Sequence, residues 1–212
     1  MQSFTNWTKS VIIFPVMEME KRIFLTGSIG CGKTRLLREV LGESIAFAGG
    51  FVTERRMDER DRFVGYELFP AAAAAGFPGY EGQLYLDCRC FPPVHDNEVY
   101  RVLGVRLLEE APCYPYALLD ELGGFELVIP QFRQALETLL NQDLPCVGAL
   151  RSLEDAELLR KLLGLGERYE QHAARLHEAL RDDPDTLLLD LCAMDTDAIR
   201  QSLCRWAEEY AR

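Results

Sequence analysis

Short apolar runs alternate along the chain with stretches whose apolar residues recur every three to four positions, the pattern of strands exchanging with amphipathic helices. "RIFLT" (22–26) reads as a buried strand that enters a glycine-rich turn, with a helix starting near Lys33. "SIAFAGGFVTE" (44–54) reads as one or two strands broken at Gly49–Gly50. "RFVGYELF" (62–69) alternates as a strand does, which makes the charged "RRMDERD" between them a hairpin tip. From Pro70 to Gly82 the chain reads as a loop, where five alanines favour a helical turn but Gly and Pro close in on both sides. "QLYLD" (83–87) is a strand, and Asn97 to Glu110 is helical, with Val99, Val102, Leu103 and Leu107 on one face.

"YALLD" (116–120), a helix from about Gln131 to Leu140, and "PCVGAL" (145–150) continue the alternation. Residues 153–181 are helical and charge-rich, interrupted at Gly164 and Gly166, and read as a surface helical hairpin. After a last strand, "TLLLDL" (186–191), Asp195 or Thr196 caps a helix with Ile199, Leu203, Trp206 and Tyr210 at helical spacing. The order predicts an α/β class, three layers deep, with a mostly parallel central sheet. No repeat or linker divides the 212 residues, so 19–212 is read as one domain. "VIIFPVM" (11–17) contains Pro15 and lacks a small-residue cleavage site, so 1–18 is read as a dispensable extension with Met17 or Met19 as the start. No apolar stretch is long enough to span a bilayer, and no membrane association is expected.

Charge narrows the partners. Lys plus Arg total 23 against 34 Asp plus Glu, a net charge of −11 that repels nucleic-acid backbones while leaving room for a local anion pocket. The seven cysteines include no C-x-x-C pair, which favours free thiols in a reducing compartment, the cytoplasm. Cys88 and Cys90 are expected on one face of a strand, and two ligands do not make a zinc site. His172 and His177 fall on different faces of a helix and are read as surface residues.

The chemistry sits in the glycine turn. Gly27-Ser28-Ile29-Gly30-Cys31-Gly32-Lys33-Thr34 fits G-x-x-x-x-G-K-[ST] at every fixed position, between a strand and a helix as the motif requires. Successive backbone N–H groups in such a loop face one concavity, and the helix that follows adds its positive end. Gly27 through Arg35 is therefore the expected nucleotide-binding segment, Lys33 reaching the β- and γ-phosphates and the Thr34 hydroxyl binding Mg²⁺. Cys31, at a helix N-terminus where thiol pKa values are typically lowered, is read as a spare loop side chain. Asp87, Asp120 and Asp190 end strands, and only Asp120 is followed by a glutamate. Asp120 is the expected second metal ligand, Asp190 the fallback, and Glu121 the group that orients an attacking water.

"FLTGSIGCGKT", "GGFVTERR…VGYEL" and "LLDELGGFEL…FRQAL" resemble the three signature blocks of the small cancer-related and thermophile nucleoside-triphosphatases, over roughly residues 22 to 150. The resemblance implies a RecA-like P-loop fold with an inserted β-hairpin and Mg²⁺-dependent hydrolysis of the β–γ bond of ATP, GTP and other nucleoside triphosphates. It gives Asp120 a metal role and Glu121 a water-activating one, matches Glu126 to the family's last acidic residue, and places Thr53 and Glu54 near the nucleotide. Where the family has a second acidic residue and then V-R, this chain has Arg55-Arg56-Met57. An arginine on the γ-phosphoryl oxygens assists transfer, and Arg56 is the leading candidate, Arg55 the second. Two alternatives share the loop: a kinase with residues 154–181 as its lid, and an interaction protein switched by nucleotide. No side chain identifies a base preference or a protein partner.

Overall fold

A computed structural model describes residues 20–76 and 79–211. The expected extension at 1–18, with its start at Met17 or Met19, lies outside them. One mixed sheet runs through the molecule in the order β5-β4-β3-β2-β6-β7-β1-β8. Five strands pair in parallel: β8 (Thr186–Asp190), β1 (Arg22–Thr26), β7 (Cys146–Leu150), β6 (Tyr116–Leu122) and β2 (Ala48–Met57). β3 (Phe63–Pro70), β4 (Gln83–Asp87) and the two-residue β5 (Val94–His95) extend the edge antiparallel.

Helices cover both faces, so the parallel strands read as continuous apolar runs. On one face α1 (Lys33–Leu41) and α7 (Thr196–Tyr210) pack Leu36, Leu37, Ile199, Leu203 and Trp206 against Ile23 and Leu25. On the other lie α4 (Pro130–Leu140), α5 (Leu153–Leu163) and α6 (Glu167–Asp182). They bury Phe132, Leu159 and Tyr169 against Phe24 and Leu119. Asp195 caps α7 by accepting the Ala198 amide. The helical stretch 97–110 comprises α2 (Asn97–Val99), a π turn (Tyr100–Gly104) and α3 (Val105–Glu110).

Three expectations need correction. Gly49–Gly50 do not break a strand: residues 42–47 form a 3₁₀ turn and β2 runs through both glycines. These glycines serve close approach, since a Cβ on Gly49 would lie 2.7 Å from the Ala111 Cα and one on Gly50 2.5 Å from the Leu118 carbonyl oxygen. The hairpin tip is shorter than read, because β2 extends to Met57 and takes Arg55 and Arg56 into the strand. Cys88 and Cys90 follow β4 in a bend and share no strand face. The alanine run forms a single 3₁₀ turn, Ala71–Ala75, stopped by Gly76.

Candidate active site

β1 ends at Thr26 and the chain turns through Gly27, Gly30 and Gly32, with φ of +127°, +82° and +102°. These values lie in the region that L side chains rarely adopt, so the three glycines are a backbone requirement. Gly32 is the N-cap of α1 and the helix has no side-chain cap, unlike α5 and α7, where Ser152 and Asp195 serve. The first-turn amides of α1 are therefore orphan donors at the positive end of a helix. Lys33 is only 5% exposed, and its ammonium donates to the carbonyls of Gly27 (2.7 Å) and Ser28 (3.2 Å), closing the loop over itself. Burial raises the Cys31 thiol pKa, with Lys33 opposing, so the lowering expected at a helix start is reversed. Cys192, held by the Ser28 hydroxyl and amide, is the thiol whose pKa falls.

The Thr34 hydroxyl donates to Asp120 Oδ1 at 2.7 Å. Asp120 is 1% exposed, and its Oδ2 is buried with no hydrogen-bond partner among the described residues. Burial pushes its pKa up to about 7, the charge of Glu121 adding to the rise. An orphaned carboxylate oxygen beside a hydroxyl is a hard-oxygen donor set that fits Mg²⁺, which is held by one or two carboxylates and completed by phosphates and water. Among the described residues no cluster of three or more His, Cys, Asp or Glu forms a protein-only metal cage.

Adjacent strand residues point to opposite faces, so Asp120 and Glu121 need a device to serve one site. β6 supplies it. Leu119 pairs with Gly148 and Leu122 with Leu150, so β6 carries one residue more than β7 over this interval. Glu121 takes the extra step with φ of +58°. Such a bulge re-aims side chains, and a non-glycine residue there stores about 1–3 kcal/mol of strain, typical of functional positions. Asp120 turns to Thr34, while Glu121 faces a cavity of about 940 Å³ that it shares with Gly30, Lys33, Thr34 and Arg151. An Arg151 Nη donates to Glu121 Oε2 at 3.0 Å.

Among the other sequence candidates, Ile29 and Arg35 line the cavity, as do Thr53, Glu54 and Arg55. Glu54 accepts from Arg38 at 2.6 Å. Arg56 does not reach the site: its guanidinium lies 3.2 Å from Glu67 on a 57% exposed side chain, because the strand pairing turns it outward. Asp87 is taken by Arg89. Asp190 accepts the Cys192 amide at 2.8 Å beside Gly27, on the other side of the loop from Asp120. Residues 153–181 are more than a surface hairpin, since α6 buries Tyr169, Ala173 and Leu180 in the core.

Two groups escaped the sequence reading. Arg151 follows β7 directly, a strand-end polar residue like Asp120. His177 is buried rather than on the surface, its Nε2 2.8 Å from the Arg151 carbonyl, and His172 is half-buried. Glu126, flagged by resemblance alone, is buried and accepts the amides of Gly123 and Gly124, each at 2.7 Å.

Burial lifts the Glu126 carboxyl pKa from 4.5 to about 7. The folded protein then holds more protons than the unfolded chain between pH 4.5 and 7, so this group's contribution to stability is full at low pH and is lost as pH rises. The difference is worth roughly 3 kcal/mol when the group is fully ionised. Glu126→Gln keeps an acceptor oxygen without the charge. Denaturant unfolding at pH 5 and pH 8 should show the variant gaining about 1–3 kcal/mol over wild type at pH 8 and little at pH 5. Equal gains at both pH values would contradict a buried ionising Glu126.

A strand–glycine loop–helix unit in a mainly parallel sheet, with a Thr–Asp contact at the loop's end, defines a P-loop nucleotide-binding protein. The family model described as NTPase matches residues 22–183, and the chain belongs to that family. The chain is 27% identical over 194 residues to the Mus musculus cancer-related nucleoside-triphosphatase homolog, covering 83% of this chain and 97% of the mouse protein. It is 26% identical over 143 residues to the nucleoside-triphosphatase THEP1 of Thermotoga maritima, covering 63% of this chain and 76% of the other. The crystal structure of Aquifex aeolicus THEP1 matches with a TM-score of 0.56 at 17% identity, over 86% of this chain and 96% of that one. The solution structure of a human cancer-related nucleoside triphosphatase matches with a TM-score of 0.57 at 19% identity, over 88% and 95%. Both structures share the fold. No helix among the described residues is long and apolar enough to cross a membrane.

Proposed function

We propose that the chain hydrolyses the β–γ bond of nucleoside triphosphates such as ATP and GTP, with Mg²⁺, to the diphosphate and phosphate. The observation that carries this is the Thr34–Asp120 contact at 2.7 Å with Asp120 Oδ2 left over. Thr34 and Asp120 would hold the cation, which when bound neutralises charge on the β- and γ-oxygens. The loop amides and Lys33 seat the β-phosphate, the ammonium exchanging the carbonyls of Gly27 and Ser28 for phosphate oxygens. Glu121 accepts a hydrogen bond from the attacking water. As the water oxygen bonds phosphorus, the bridging P–O bond breaks, its electron pair stays on the diphosphate, and the water proton passes to Glu121. The seven free thiols suit a reducing cytoplasm as the setting.

One observation favours a second reading, transfer to an acceptor: the cavity continues past Glu121 to Phe63, Tyr66 and Tyr85, beyond what one water needs. Purified protein with a panel of nucleoside triphosphates and Mg²⁺ separates the two. Free phosphate released with no acceptor present supports hydrolysis. Release only with an added acceptor, or no release at all, overturns it.

A further inference from the structure

The transition state gathers charge on the γ-phosphoryl oxygens, and arginine is the residue that most often meets it. In the hairpin Arg56 is held by Glu67 and Arg62 by Asp58, while Arg55, which lines the cavity, is exposed with its guanidinium 6.0 Å from the centroid of the Phe63 ring. Arg38 also lines the cavity and shares a buried Nε that has no partner among the described residues, but its Nη is bonded to Glu54 and its side chain is 34% exposed.

Arg151 is placed differently. Its amide donates to the Leu122 carbonyl at 2.8 Å and its carbonyl meets His177 Nε2 at 2.8 Å, so its backbone is tied to β6 and α6. The side chain is only 14% exposed, and it faces the cavity that holds Lys33, Thr34 and Glu121. One Nη is bonded to Glu121, while Nε is buried with no partner among the described residues. A buried guanidinium N–H left unpaired is costly, and such groups are kept where a ligand completes them.

We propose that Arg151 is a catalytic residue that donates to the γ-phosphoryl oxygens in the transition state, an arginine finger supplied by the chain itself. This rests on the hydrolase reading above. Arg151 forms and breaks no covalent bond. Its Nη keeps the Glu121 carboxylate beside the water, and the free Nε–H turns to the charge that grows as the bridging bond opens.

The test compares wild type, Arg151→Met, Arg151→Lys and Arg56→Ala in single-turnover phosphate release, triphosphate affinity and affinity for the diphosphate–aluminium fluoride complex, a mimic of the transition state. Arg151→Met should lower the rate by about 10³-fold or more, leave triphosphate affinity within about threefold, and lose the aluminium fluoride complex, while Arg56→Ala behaves as wild type. Arg151→Lys keeps the buried charge without the planar fork. It should melt as wild type does yet bind the mimic about tenfold more weakly or worse, which keeps the test alive should Arg151→Met fail to fold. Undiminished binding of the mimic by either folded variant, even with a slower rate, would show that Arg151 only orients Glu121 and would overturn the proposal. Wild-type protein that releases no phosphate sinks the hydrolase reading itself, a different failure.

Discussion

Glu121→Gln should lower phosphate release by about 10²- to 10⁴-fold while nucleotide affinity stays within about threefold. The amide has nearly the shape of the carboxylate and can still face Arg151, so the bulge at φ +58° and the cavity wall are kept. What is lost is an oxygen able to take the water proton. Glu121 touches neither the glycine loop nor Thr34 by hydrogen bond, so the seat for the β-phosphate is unaffected. Titration with a fluorescent triphosphate and a phosphate-release assay on one preparation give both numbers. Hydrolysis at the wild-type rate would mean that another group activates the water. Parallel loss of binding and turnover would mean that Glu121 is structural.

Lys33→Ala should act on binding. Lys33, only 5% exposed, places its ammonium inside the loop, where it has two carbonyl partners. Charge-assisted hydrogen bonds contribute about 1.5–3 kcal/mol each, so losing two should weaken triphosphate affinity by roughly 10²-fold or more. The carbonyls of Gly27 and Ser28 can turn to water at the loop surface, and the core beneath is left whole, so the melting temperature should change little. Calorimetric titration checks the prediction, and unchanged affinity in a folded variant would remove Lys33 from the phosphate seat.

The glycine loop was legible because its chemistry is a backbone matter: three positive-φ glycines, a strand before and a helix after leave a fixed local pattern. The alternation of buried runs such as "RIFLT" with amphipathic stretches such as 196–210 likewise carried the layers. What escaped depended on partners distant in sequence. Gly49 and Gly50 read locally as a break, whereas the close approach of Ala111 and Leu118 is what requires them. Arg56 looked available until the register of β2 with β3 faced it toward Glu67. Beyond the place of Arg151 at a strand end, Arg151 and His177 carry no local mark, since their roles arise where β7, β6 and α6 converge. The Asp120–Glu121 pair reads as chemistry in the sequence, and the register shift against β7 is what lets two adjacent strand residues serve one site.

The most direct measurement is a crystal structure with a non-hydrolysable triphosphate analogue and Mg²⁺. The β-phosphate should rest on the amides from Gly30 to Thr34, Lys33 should have left the loop carbonyls for phosphate oxygens, and the γ-phosphate should face Glu121. An analogue bound elsewhere, or seated with its γ-phosphate pointing away from β6, would contradict the account.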